Sequence, residues 1–284
     1  MIINCNSTPI DLSQGHVMGV LNVTPDSFYD GGKYTEEENV LAQTKRMLDE
    51  GATFIDIGGA SSKPGSSPIS PKEEIERVVP AITAILKSFP KAVISIDTTS
   101  SLVAEKAVGS GAAIVNDISA GSSDKRMLET VASLGVPYIA MHMQGTPKTM
   151  QNNPIYQNVV SDVFAALERF RNRATQLGIG QLILDPGFGF GKTLSHNYAL
   201  LNQLEKFQSL GCPLLVGVSR KSMIQKIVDV DAENALNGTT AIHTIAVQKG
   251  ASILRVHDVK EAVQVFQLVN YLNQQESTPT TLAL

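Results

Sequence analysis

Short apolar runs in this chain repeatedly end at a residue able to do chemistry. They close at or just before Asn22, Gly58, Asp97, Asn116, His142, Asp185, the run Ser219, Arg220, Lys221, and Arg255 with His257. Two chemical sets emerge. Asp97, Asn116 and Asp185 bring carboxylate and amide groups into apolar surroundings, which suits a flat heterocycle with several N–H donors and ring acceptors. Lys63, Lys221, Arg255 and His257 bring positive charge and donors, which suits a phosphate or carboxylate, with Arg able to bind in bidentate fashion. Any one of these residues is most simply a helix cap or a turn residue. Caps account for Ser and Asp but not for Lys221, Arg255 and His257. The set therefore points to one site with a polar heterocycle at its floor and an anion at its rim.

The elements that must position these residues follow from periodicity. Residues 17–21 read as a buried strand ending in Asn22, followed by a polar Gly-, Asp- and Ser-containing loop over 23–32. Further strands are expected at 53–57, 92–96, 112–115, 136–141, 181–184, 213–218 and 251–256. Helices are expected at 36–50, 71–89, 99–109, 124–134, 159–177, 195–209, after Lys221, at 232–249 and at 260–273. Pro71 marks a first helical turn, Gly51 a helix end, and Ser195 an N-cap. Strict alternation of apolar strands with helices argues for a parallel sheet covered by helices. Eight such units at this length fit an α/β fold, a single (β/α)8 TIM barrel, whose strand C-termini surround one pocket; a doubly wound open sheet is the alternative. Residues 1–16 read as an N-terminal extension, a hairpin covering the barrel floor. Residues 17–274 read as the barrel domain, and 275–284 as a disordered tail, polar and without periodicity.

Composition narrows the function classes. The 284 residues are 43% hydrophobic and 18% charged, with a formal net charge of −4, which argues against non-specific nucleic-acid binding. Cys5 and Cys212 form no CxxC pair, so neither a disulfide framework nor a zinc ribbon is expected, and a reducing cytoplasm fits. No signal peptide and no apolar run of membrane-spanning length is read. No His/Cys/carboxylate cluster has transition-metal spacing, and GxSxG is absent. PGFGFGKT, residues 186–193, is a near miss to two nucleotide fingerprints: Pro186 and Lys192 stand where each requires Gly. It reads instead as a loop that lets backbone pass close to a ligand and places Phe188 or Phe190 over it. SRKS, residues 219–222, opens a helix whose N–H groups could receive an anionic oxygen. His16 reads as structural at the opposite face, and His196 and His243 as surface or packing residues. His142 lies near the pocket with Met141 an equal candidate for contact, and Cys212 is a packing residue.

MGVLNVTPDSFYDGG, IDIGGASSKPG, ISIDTT, IVNDISA, LDPGFGFGKTLSHNYALL, GVSRKSMI and ILRVHDV, in this order, resemble the dihydropteroate synthases of the pterin-binding enzyme family over residues 17–259. The resemblance implies a transferase of folate biosynthesis. It would condense 6-hydroxymethyl-7,8-dihydropterin diphosphate with 4-aminobenzoate to 7,8-dihydropteroate and diphosphate. It also implies Mg²⁺, a cytoplasmic homodimer and a sulfonamide target. By the same resemblance, Asp56, Asp97, Asn116, Asp185, Phe190 and Lys221 bind the pterin. Asn22, Ser62, Arg255 and His257 face the diphosphate, with Asn22 also at the metal. Phe28, Ser62, Lys63, Pro64, Ser219 and Ser222 face the aminobenzoate, and Asp97, Lys221 and Asn22 are the catalytic set. One departure stands out: where the family usually has STRPG, this chain has SSKPG, preceded by Ala60 at an often acidic position. Lys63 keeps the charge but loses the planar fork. Two other readings remain open here, a methyltetrahydrofolate-dependent methyltransferase and a paralogue that binds pterin without turnover.

Overall fold

The computed structural model describes residues 1–23, 36–60, 69–146, 149–150 and 154–276. Strands β1 (Ile2–Cys5) and β2 (Thr8–Asp11) form an antiparallel hairpin with Ile3 opposite Ile10. Eight parallel strands follow: β3 (His16–Asn22), β4 (Phe54–Gly58), β5 (Val93–Asp97), β6 (Ile114–Asp117), β7 (Tyr138–Met141), β8 (Leu182–Asp185), β9 (Leu215–Val216) and β10 (Ile253–Val256). Their spatial order is β8-β7-β6-β5-β4-β3-β10-β9. A parallel bridge between Leu184 and Leu214, with the Leu184 N–H donating to the Pro213 carbonyl at 2.9 Å, joins the two ends into a barrel. Closure pairs both edge strands of the eight-stranded sheet.

Helices α1 (Glu36–Asp49), α2 (Pro71–Ser88), α3 (Ser101–Gly109), α4 (Met127–Leu134), α5 (Val159–Gln176), α6 (Leu194–Asn202), α7 (Ser222–Val228), α8 (Leu236–Gln248) and α9 (Val259–Glu276) complete the units. Every residue of β6, β7 and β8 is buried, because helices cover one face and the barrel interior the other. Pro71 occupies the first turn of α2, and the Ser70 side chain accepts from the Glu73 N–H.

Several boundaries differ from expectation. Thr193, not Ser195, caps α6, because its hydroxyl accepts from the His196 N–H while His196 Nδ1 accepts from the Thr193 N–H. The expected 195–209 helix divides into α6 and a 3₁₀ segment, Leu204–Leu210. Helix α8 starts at Leu236 rather than residue 232, since the Asp231 carboxylate accepts from the Asn234 N–H and holds a turn there. Gln275 and Glu276 belong to α9, so the tail boundary moves outward; residues 277–284 lie outside the described set.

All eight barrel strands place one residue in a single apolar cluster: Met18, Phe54, Val93, Ile114, Ile139, Ile183, Leu215 and Ile253. Ile3, Cys5, Ile10 and Leu12 of the hairpin segment pack onto it. The hairpin therefore closes the N-terminal end of the barrel. His16 belongs to this end as well, with Nδ1 3.0 Å from Thr53 Oγ1 and Nε2 2.8 Å from the Asp11 carbonyl.

Candidate active site

Side chains alternate between the two faces of a strand, so the residue two places beyond each floor residue also faces the interior. From Phe54, Val93, Ile114, Ile139, Ile183 and Ile253 that step reaches Asp56, Ser95, Asn116, Met141, Asp185 and Arg255. One step further along β3 and β5 lie Asn22 and Asp97, flanking Gly58 in the register. A Cβ on Gly58 would stand 3.6 Å from Asp97 Cβ and 3.7 Å from Asn22 Oδ1. Asn116 and Asp117 separate by the same alternation. Asp117 turns to the helix side, where it accepts from the Tyr138 hydroxyl (2.7 Å) and the Ser119 and Gly121 N–H groups, bracing the loop after β6.

Arg255 is the hub of the interior polar layer. Its Nε donates to Asp56 Oδ2 and its Nη2 to Asp97 Oδ2, both at 2.7 Å. Asn116 Nδ2 donates to the same Asp56 oxygen at 3.0 Å. Asp56 is fully buried, and its Oδ1 has no hydrogen-bond partner among the described residues. Burial raises the Asp97 carboxyl well above the ordinary carboxylate range; the Arg255 charge opposes that rise, and neighbouring carboxylates add to it.

Across the mouth, burial likewise raises the Asp185 carboxyl, opposed by the Lys221 ammonium. Burial lowers Lys221 to about 8, with Asp185 opposing. Lys221 Nζ donates to the Phe188 carbonyl at 2.6 Å and lies 4.6 Å from the centre of the Phe190 ring, a cation–π contact. Ser219 Oγ lies 3.2 Å from both the N–H and Nδ1 of His257. Arg220 braces this edge: its guanidinium pairs with both Asp258 oxygens (2.8 and 2.9 Å), and its backbone holds a left-handed φ of 54°.

The sequence-derived residues Asn22, Asp56, Asp97, Asn116, Asp185, Phe190, Ser219, Lys221, Arg255 and His257 thus lie on the C-terminal ends of seven strands or on the loops that follow them. Phe28, Ser62, Lys63 and Pro64 lie outside the described residues. Three of the expected residues are placed more sharply. Phe188 is fully buried in the hydrophobic core, which leaves Phe190 as the aromatic ring beside Lys221. Arg255, expected at the anion rim, is engaged inward with two carboxylates. Ser222 is exposed, at the start of a seven-residue helix that Lys221 precedes. Sequence reasoning passed over Lys192, which is 3% exposed and makes four polar contacts. The available signal was a lysine closing a run of alternating glycines.

Among the described residues no group of three His, Cys, Asp or Glu side chains could hold a metal ion. A cleft of about 420 Å³ at the opposite end of the barrel, beside Arg171 and Cys212, gathers no comparable set of groups; Arg171 is already donating to the Leu210 carbonyl.

Known proteins resemble this chain over nearly its whole length. The family described as pterin binding enzyme matches residues 18–257. Dihydropteroate synthase of Escherichia coli (strain K12) is 45% identical over 271 residues, spanning 95% of each chain. The Yersinia pestis dihydropteroate synthase, solved in a sulfonamide drug complex, superposes with a TM-score of 0.90 at 42% identity, covering 97% of this chain and 100% of that one. The Xanthomonas albilineans enzyme in complex with 7,8-dihydropteroate superposes with a TM-score of 0.87 at 36% identity, covering 96% and 99%.

Proposed function

The chain belongs to the pterin binding enzyme family, and we propose that within it the chain catalyses the dihydropteroate synthase reaction. It condenses 6-hydroxymethyl-7,8-dihydropterin diphosphate with 4-aminobenzoate, giving 7,8-dihydropteroate and diphosphate. The observation that carries this reading is the buried layer of Asp56, Asn116, Asp97 and Arg255 facing Asp185 and Lys221. Paired acceptors and donors on opposite walls of an otherwise apolar barrel suit a planar ring with both kinds of group on its edge. The unpartnered Asp56 Oδ1 suits a ring N–H that completes its hydrogen bonding.

In the reaction the bond from the pterin methylene carbon to the diphosphate oxygen breaks, and diphosphate leaves with the electron pair. The 4-aminobenzoate nitrogen then bonds to that carbon and loses one proton to solvent. Asp97 acts electrostatically, its carboxylate facing the positive charge that develops on the pterin. Asn116, Asp185, Lys221 and Asp56 hold the ring, with Phe190 beside it. His257, Asn22, Ser62 and the remainder of the Arg255 guanidinium take the diphosphate. Phe28, Ser62, Lys63, Pro64, Ser219 and Ser222 take the aminobenzoate.

Mg²⁺ fits this site as an ion arriving with diphosphate: Asn22 offers one hard amide oxygen at the end of β3, and no multidentate protein cage is needed. Bound there, Mg²⁺ would neutralise charge on the leaving diphosphate. The homodimer proposal draws on exposed apolar side chains on the last two helices, Ile245, Leu268, Tyr271 and Leu272. The proposed cytoplasmic location is consistent with two free cysteines and with no helix among the described residues being long and apolar enough to cross a membrane.

The test is diphosphate release from dihydropterin diphosphate and Mg²⁺ with and without 4-aminobenzoate. Release that requires aminobenzoate and yields dihydropteroate is the expected result. Pterin binding with no release under either condition overturns the proposal in favour of a binding protein.

A further inference from the structure

The glycine-rich loop after β8 matches no nucleotide fingerprint, and its construction shows another use. Three consecutive residues of it border Lys221, two of them in direct contact. The Phe188 carbonyl accepts from Lys221 Nζ at 2.6 Å. A Cβ on Gly189 would come within 3.2 Å of Lys221 Cδ. The Phe190 ring lies 4.6 Å from Nζ. The loop is therefore the wall against which Lys221 is set.

That wall is itself held from behind. Lys192 Nζ lies 2.8 Å from the Gly187 carbonyl, 3.0 Å from the Phe190 carbonyl, 3.1 Å from His142 Nδ1 and 3.3 Å from the His142 carbonyl. The two loop carbonyls it holds bracket the one that holds Lys221. The two contacts at His142 fasten the loop to the end of β7. A charged lysine amine carries three donors, so these four partners share them. Glycines make the close approach necessary and possible: a Cβ on Gly187 would stand 1.9 Å from the His142 carbonyl oxygen, and one on Gly191 2.5 Å from the Gln144 carbonyl oxygen. Asn197 Oδ1 accepts from the Gly189 N–H at 2.7 Å, and the Tyr156 hydroxyl donates to the Gly191 carbonyl at 2.8 Å, so the loop is also pinned along its length.

Building on the pterin-site reading above, we infer that Lys192 is a positioning residue. From outside the site, it clamps the 187–190 segment to His142 and thereby fixes Lys221 and Phe190 in the geometry that receives the pterin ring. Removing the amine strands the Gly187, Phe190 and His142 acceptors, and the loop must rearrange to satisfy them. The consequence at the site is a displaced Lys221 rather than a lost contact to substrate.

The experiment is a double-mutant cycle on the full-length protein, with 6-hydroxymethylpterin affinity measured by fluorescence titration and turnover measured alongside. Lys192→Met is expected to weaken pterin binding by about tenfold or more. In the Lys221→Met background the same substitution is expected to have a smaller effect, less than about threefold, because only the placement of Phe190 is left for it to disturb. A general structural defect would instead multiply the two losses. His142→Phe, which removes one acceptor and leaves the three carbonyl contacts, is expected to weaken binding in the same direction by a smaller factor. It carries the test should Lys192→Met fail to fold. Unchanged affinity in Lys192→Met or in His142→Phe, or losses that multiply with Lys221→Met, overturn the inference. Absence of pterin binding by the unmodified protein would instead overturn the site reading on which it rests.

Discussion

The two ends of this barrel are built on the same eight strands and differ by a step of two residues. At the floor, Met18, Phe54, Ile114, Ile139, Ile183, Leu215 and Ile253 meet the hairpin in a continuous apolar layer. Two residues further on, four of those strands present Asp56, Asn116, Asp185 and Arg255 to the same interior. The floor stabilises by burying apolar surface, at about 25 cal/mol per Å². The mouth does the reverse. It buries charge, leaves Asp56 Oδ1 and Ser95 Oγ without partners among the described residues, and shifts Asp97, Asp185 and Lys221 away from their ordinary pKa values. Groups held this way are arranged for a ligand and cost stability without one. Stability and chemistry are thus assigned to opposite ends of one element type.

The largest expected effect comes from removing the hub of the mouth. Arg255→Met leaves Asp56 and Asp97 buried without their cation. Breaking a buried pair on one side costs about 3–5 kcal/mol, and turnover should disappear with it; denaturant unfolding and product assay would report both. Replacing a floor residue should separate the two ends. Phe54→Ala opens a cavity in a fully buried site and should cost about 3–5 kcal/mol. Its turnover per folded molecule, measured below the unfolding transition, should stay within about twofold. A matching loss of turnover would show that the ends are not independent.

The smallest effect has a defined sign. Burial raises the folded-state pKa of Asp185 above its ordinary 3.8. Below that value the carboxyl is protonated in both states and folding is indifferent to it. As pH rises, the unfolded chain releases its proton first, so the folded state loses stability until Asp185 ionises within the fold. Asp185→Asn keeps an oxygen to accept from the Gly187 N–H, a bond of 2.7 Å in the parent, and removes the charge. The stability of Asp185→Asn relative to the parent should therefore increase as pH rises above the ordinary carboxylate value of 3.8. A gap independent of pH would mean that Asp185 is not penalised by burial.

Much of this division was legible in the sequence, for a physical reason. Parallel strands buried on both faces read as unbroken apolar runs, so the polar residue ending each run is conspicuous, as at Asp97, Asn116 and Asp185. The alternation of β4 hides Asp56 inside its run, and only the family resemblance drew attention to it. The direction Arg255 takes depends on Asp56 and Asp97, which lie 199 and 158 residues away in sequence; no local pattern encodes that choice. Lys192 was missed because its partners are mostly backbone carbonyls, which leave no mark in side-chain composition. The N-cap of α6 was displaced by two residues because a histidine ring supplied the reciprocal acceptor. Local propensity places elements, whereas long-range pairing decides which groups face the ligand.

The most direct test of the mouth as the seat of chemistry is the Asp97→Asn variant, measured for both single-turnover rate and pterin affinity. Asn retains the shape and removes the charge opposite the developing cation. The account predicts a rate lowered by about 100-fold or more with pterin affinity changed by less than about threefold. Equal losses in rate and affinity would contradict it, and would make Asp97 a binding group only.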